Sequence, residues 1–187
     1  MVAAYDKLPA MSQAVARMLL SKHSFTHDDV DDPAMENGFL GSLRPYKGKL
    51  NHSAFHEVVA CLKALGPSMS NDSTVDRQVV SNLWGICKLS QDWAVDPDGM
   101  LRRNNLISTP DIETMKKWID CISYATMMLL EDPDPSVAFV MYEDYMDGSQ
   151  NAGYQCDARE VRLARGFEVE DLPSGLGDRA RCSALQC

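Results

Sequence analysis

Apolar residues recur along most of this chain at intervals of three and four, the spacing that puts them on one face of a helix. Leu8, Met11, Val15, Met18 and Leu19 make the first such stripe and predict a helix over 8–22, with Pro9 in its first turn. Phe55, Val58, Val59, Leu62 and Leu65 make the clearest one, with Asn51 or Ser53 as its cap. Gly66-Pro67 is its predicted end, because glycine favours the position just past a helix and proline cannot continue one. Val75, Val79, Leu83, Ile86 and Cys87 carry a third helix over 73–93, extended by Leu89 and Trp93. Gly85 inside it costs about 1 kcal/mol of propensity relative to alanine, which suggests a close helix crossing there. Thr109-Pro110-Asp111 opens a fourth helix, with threonine as cap, that runs on Ile112, Met115, Ile119, Ile122, Ala125 and Leu129 to about Leu130. A last one starts near Asp134-Pro135, carries Val137, Val140, Met141 and Tyr145, and ends before Gly148.

Between the first two stripes, residues 23–50 are dense in turn signals: four aspartates, Asn37-Gly38, Gly41, Pro45 and Gly48. Phe25, Phe39, Leu40, Leu43 and Tyr46 are expected to pack this long connection back onto the helices. No segment alternates as a strand does, and no repeat is visible. The predicted fold is therefore all-α, a single compact domain of four to five helices over residues 1–148. Residues 149–187 lose the periodicity and read as a poorly ordered or loosely docked tail.

Composition narrows the function classes. The longest apolar-rich stretches, 124–130 and 137–142, fall well short of the ~20 residues a membrane span needs. The 187 residues include 18 basic and 27 acidic ones, a net charge of −9. Most of that charge lies in residues 1–148 and so belongs to the helical domain. A chain this acidic offers no broad basic face for nucleic acid, is repelled by anionic membranes, and suits a basic protein partner. The six cysteines show no Cys-x-x-Cys spacing, and Cys61, Cys87 and Cys121 sit at apolar helical positions. With no apolar signal region at the N-terminus, this predicts free thiols and a cytoplasmic setting.

Candidate chemistry is sparse. No Gly-x-Ser-x-Gly elbow, phosphate-binding glycine loop or catalytic cysteine signature is present. Aligning Gly99 or Gly148 as the sixth position of a calcium loop leaves required acidic ligands missing. The four histidines form two i, i+4 pairs, His23/His27 and His52/His56, with Asp28, Asp29 and Glu57 nearby. On one helix face such a pair can share a metal, so a metal-dependent hydrolase is the alternative to a binding protein. His27-Asp28 also resembles the metal-binding dipeptide of HD-type phosphohydrolases, although His23 stands too close for their usual arrangement. Arg44, Lys47 and Lys49 around Tyr46 make a small basic patch.

The favoured feature is an acidic run. Glu131, Asp132, Asp134, Glu143, Asp144 and Asp147 fall between residues 131 and 147 without a lysine or arginine, with Tyr142 and Tyr145 among them. Acids beside tyrosines suit a contact surface, because tyrosine supplies area and a hydrogen bond at little entropy cost. The sequence thus points to a non-enzymatic, cofactor-free module that binds a basic protein. In size, charge and helical class it is similar to inhibitors such as bacterial immunity proteins and antitoxins.

Overall fold

The computed structural model describes residues 11–29, 31–71, 74–131 and 135–148. The chain divides after Tyr145, and the architecture below is that of the first unit. The predicted tail from 149 lies outside the described residues.

Every regular element among the described residues is helical. In chain order these are α1 (Gln13–His23), α2 (Pro33–Asn37), α3 (His52–Asn71), α4 (Arg77–Ser90), a π-helical turn (Gln91–Val95), α5 (Met100–Arg103) and α6 (Thr109–Glu131). A 3₁₀ turn (Pro135–Phe139) then leads into a helix over 140–148. The four long helices form a ring of neighbours: α1 packs on α3 and α4, and α6 packs on the same two. None of the described helices is long and apolar enough to cross a membrane.

Caps set where these helices begin. Ser12 accepts from the Val15 amide, so α1 starts at Gln13, later than its stripe suggested. Asp76 accepts from the Gln78 and Val79 amides and starts α4 at Arg77. Val75, expected on the buried stripe, thus falls before the helix and is exposed. At α6 the cap is Ser108, not Thr109. Its hydroxyl accepts from the Asp111 amide at 3.2 Å and donates to the Asp111 carboxylate at 2.8 Å.

Two expectations about glycine exchange places. Gly66-Pro67 does not end the second long helix, since α3 continues through it to Asn71. A Cβ on Gly66 would lie 3.2 Å from Leu129 Cδ2, so this glycine permits the close approach of α3 to α6. A Cβ on Gly85 would meet nothing within 4 Å, so no close crossing occurs there.

The interior centres on Trp118 of α6. It is 1% exposed and stacks on Phe55 of α3, with ring centroids 4.7 Å apart and planes within 3°. Its indole N–H donates to Tyr145 Oη at 2.9 Å, which closes the α3–α6 seam with a satisfied polar group. The 24–51 connection packs largely as expected, with Phe39, Leu40, Leu43 and Leu50 buried. Gly41 is required in it, because a Cβ there would fall 1.9 Å from the Met35 carbonyl oxygen. Phe25 is the exception. It stands in the left-handed region (φ 60°) just after α1, where the chain reverses, and that turn leaves its ring 40% exposed.

Candidate functional site

The outer face between α4 and α6 carries the most exposed large hydrophobic group of the described residues. Trp84 is 67% exposed, and Met127 and Leu130 on α6 are 45% and 41% exposed. They border a groove of about 330 Å³ whose floor is Val80, Leu83 and Cys87. Glu131 closes one end, and Asp120 lies close enough to Cys87 to influence its thiol. The geometry follows from register. Val79, Leu83 and Ile86 turn into the core, while Val80, Trp84 and Cys87 form a second stripe one residue further round. Met127 and Leu130 flank buried Leu129 in the same way. Trp84 stands on an open surface.

The acidic run is only partly assembled as expected. Glu131, Glu143 and Asp144 are exposed and form no ion pair among the described residues. Asp132 and Asp134 lie outside the described residues, and Asp147, also exposed, belongs beyond the division after Tyr145. Tyr142 and Tyr145, both half-buried, turn inward. Tyr145 Oη accepts from Trp118, and Tyr142 Oη lies 3.0 Å from His56 Nδ1. Lys63 Nζ sits 5.2 Å from the Tyr142 ring centre, a cation–π distance. The tyrosines therefore hold the 140–145 stretch against α3 and α6, and Trp84 is the large hydrophobic residue most exposed to solvent among the described residues.

The histidine pairs separate in space and role. His23, the last residue of α1, is buried, and its Nδ1 accepts from the Phe39 amide at 3.0 Å. That bond leaves the ring proton on Nε2, 3.0 Å from Glu57 Oε2 but poorly aligned with it. The approach holds the Glu57 carboxyl below its ordinary value, against the opposing effect of burial. His27 lies in the following loop and accepts from the Asp29 amide through Nδ1. His52 and His56 share the first turns of α3, yet His52 packs edge-on against Trp118 while His56 faces Tyr142. Burial, then the charge of His52, holds the His56 imidazole below its ordinary value. Among the described residues no three His, Cys, Asp or Glu side chains converge as a metal site would need.

The remaining candidates are also engaged. Lys47 pairs with Glu36 at 2.8 Å, and the Arg44 guanidinium sits 5.8 Å from the Trp93 ring centre, so the small basic patch is divided. Cys61, Cys87 and Cys121 are free thiols. Burial pushes Cys61 and Cys87 up to about 12 and Cys121 to about 11, which leaves none a thiolate at neutral pH. Cys156, Cys182 and Cys187 lie outside the described residues. Comparison with protein families, with curated proteins and with solved structures returned no match.

Proposed function

We propose that this chain is a non-enzymatic protein-binding module whose basic partner lays an amphipathic helix into the α4–α6 groove. The observation that carries this reading is the exposure of Trp84 above an apolar floor, with Met127 and Leu130 across from it. Tryptophan is the residue type most enriched where binding energy concentrates, and a groove between two helices accepts a third helix through apolar side chains at i, i+3, i+4 and i+7.

Charge selects the partner. Glu131 at the groove end and Asp120 near Cys87 would meet lysines or arginines that flank the incoming apolar face. Glu143, Asp144 and the overall charge of −9 would add long-range attraction that speeds encounter. An inhibitor of the immunity or antitoxin type, acting on a basic target inside the cell, is the finer form of this proposal.

Titration calorimetry with two designed 18-residue helical peptides tests it. Both share one leucine face, flanked by lysine in one peptide and by glutamate in the other. The lysine peptide is expected to bind, Trp84→Ala to weaken it at least tenfold, about 1.4 kcal/mol, and Glu131→Lys to weaken it further. Equal binding of both peptides, or indifference to Trp84→Ala, would overturn the reading.

A further inference from the structure

A second concavity lies on a different part of the unit, where α2 and the start of the 38–50 connection meet the first half of α3. We infer that this cleft is a binding site for one organic cation, an ammonium or guanidinium on a short aliphatic stem, with Glu57 as its counter-ion. The inference rests on residues separate from the α4–α6 groove and stands whether or not that groove binds a helix.

The cleft encloses about 420 Å³, room for a group the size of a long side chain. Part of its wall is aliphatic, formed by Met11, Ala54 and Ala60. Its polar atoms are what select a ligand. Three side-chain donors of the lining are already engaged. Asn51 Nδ2 donates to the Asn37 carbonyl at 2.8 Å, Asn37 Nδ2 to the Pro33 carbonyl at 2.9 Å, and Ser53 Oγ to Asn51 Oδ1 at 2.7 Å. The one carboxylate of the lining, that of Glu57, is an acceptor and carries its charge. A cation, which only donates hydrogen bonds, on a body that can lie along alanine and methionine, complements that carboxylate and that wall.

Glu57 is also built into position. Its side chain is 47% exposed toward the cleft side, while Oε2 faces the Nε2 of His23, which is 3% exposed. His23 is itself fixed by the Phe39 amide, so Oε2 faces a buried, held imidazole at 3.0 Å, while Oε1 makes no hydrogen bond among the described residues. His56, the other ionisable group of the lining among the described residues, is held below its ordinary value by burial, so among those residues the lining carries a single net negative charge at pH 7. Lys22, the lysine whose charge reaches Glu57 among the described residues, is committed to Asp32 at 2.5 Å.

Such a cation can come from a free small amine or guanidine, or from a lysine or arginine side chain of a protein. The test follows amide shifts of the full ¹⁵N-labelled chain during titration with n-butylguanidinium, n-butylammonium and the blocked peptide acetyl-Ala-Arg-Ala-amide. Butyramide and butyrate are the controls. Saturable shifts at Asn37, Gly38 and Glu57 are expected for the cations, with affinity falling at least tenfold in Glu57→Gln. Binding of the free cations alone assigns the site to a small molecule, and binding of the peptide as well assigns it to a side chain. If Glu57→Gln does not fold, Glu57→Asp, which keeps the charge but shortens its reach, should weaken binding by a smaller factor. Shifts as large with butyramide or butyrate, unchanged affinity in Glu57→Gln, or no saturable shift by about 50 mM, weaker than a −2 kcal/mol contact, would overturn the inference.

Discussion

Helix α6 has two long sides, and they are finished differently. Toward α3 it is sealed. Gly66 lets the backbones approach at Leu129, Phe55 and Trp118 stack, and Tyr142 and Tyr145 close the seam from outside. Toward α4 the same helix meets Leu83 and Ile86 in the interior but presents Met127 and Leu130 outward, opposite an exposed Trp84. One tryptophan is spent on stability and the other is not. The lesson is that apolar content alone does not say which stripe builds a core, because a second stripe one residue out of register is equally apolar and ends on the surface.

The contrast can be broken most forcefully at the sealed side. Trp118→Ala should cost roughly 3–5 kcal/mol by chemical denaturation, as expected for an aromatic ring removed from a packed interior. Trp84→Ala should shift the same transition by only about 0.5 kcal/mol, as expected for surface positions. Comparable losses in the two variants would mean that Trp84 is not the open surface described. The glycines come next. Gly66→Leu should destabilise by about 1–3 kcal/mol, because Leu129 must move to admit it. Gly85→Ala should stabilise by up to about 1 kcal/mol, gaining helix propensity without a clash.

A smaller effect concerns acid. The folded-state value of His56 is depressed below the ordinary 6.5, so its neutral form favours the fold. Its contribution is complete above pH 6.5 and is lost as pH falls through the lower folded value. Denaturation midpoints measured between pH 7 and 5 should therefore decline in the natural chain, and His56→Gln should flatten that decline. Glu57 is depressed in the same sense, but from 4.5, so its loss belongs to more acid conditions. The smallest effect is chemical. Cys61 and Cys121 are buried, so a thiol reagent added to folded protein should modify them far more slowly than after unfolding, and rapid modification would show that the sealed side opens readily.

How much of this was legible from residues varies with the kind of signal. Helical class and the core positions of α3 and α6 follow from period alone, since Phe55, Leu62, Ile112 and Leu129 repeat at helical spacing and are buried. Helix ends were less legible. Gly66-Pro67 has the composition of a stop, yet a helix packed on two neighbours tolerates one missing N–H, and the glycine serves close approach. The site was less legible still. Glu131, Glu143 and Asp144 are exposed, as acids in such a run should be, but the run itself places Tyr142 and Tyr145 at the surface, whereas their rings meet Phe55 and His56 and the Tyr145 hydroxyl meets Trp118, all distant in sequence. Trp84 left one usable trace, its i+4 and i+3 spacing to Val80 and Cys87 beside the main stripe. The His23–Glu57 approach left none, because it joins elements that only the folded 24–51 connection brings together.

The central claim is that the α4–α6 groove is an open docking surface while the α3–α6 seam is closed. Three tryptophans, Trp84, Trp93 and Trp118, give three indole N–H signals in an ¹⁵N-labelled sample. Adding the lysine-flanked helical peptide should move the Trp84 indole signal and the Met127 methyl, and leave the Trp118 indole, bonded to Tyr145, in place. Movement of Trp118 without Trp84, or no movement of any indole at peptide concentrations that saturate calorimetric binding, would contradict it.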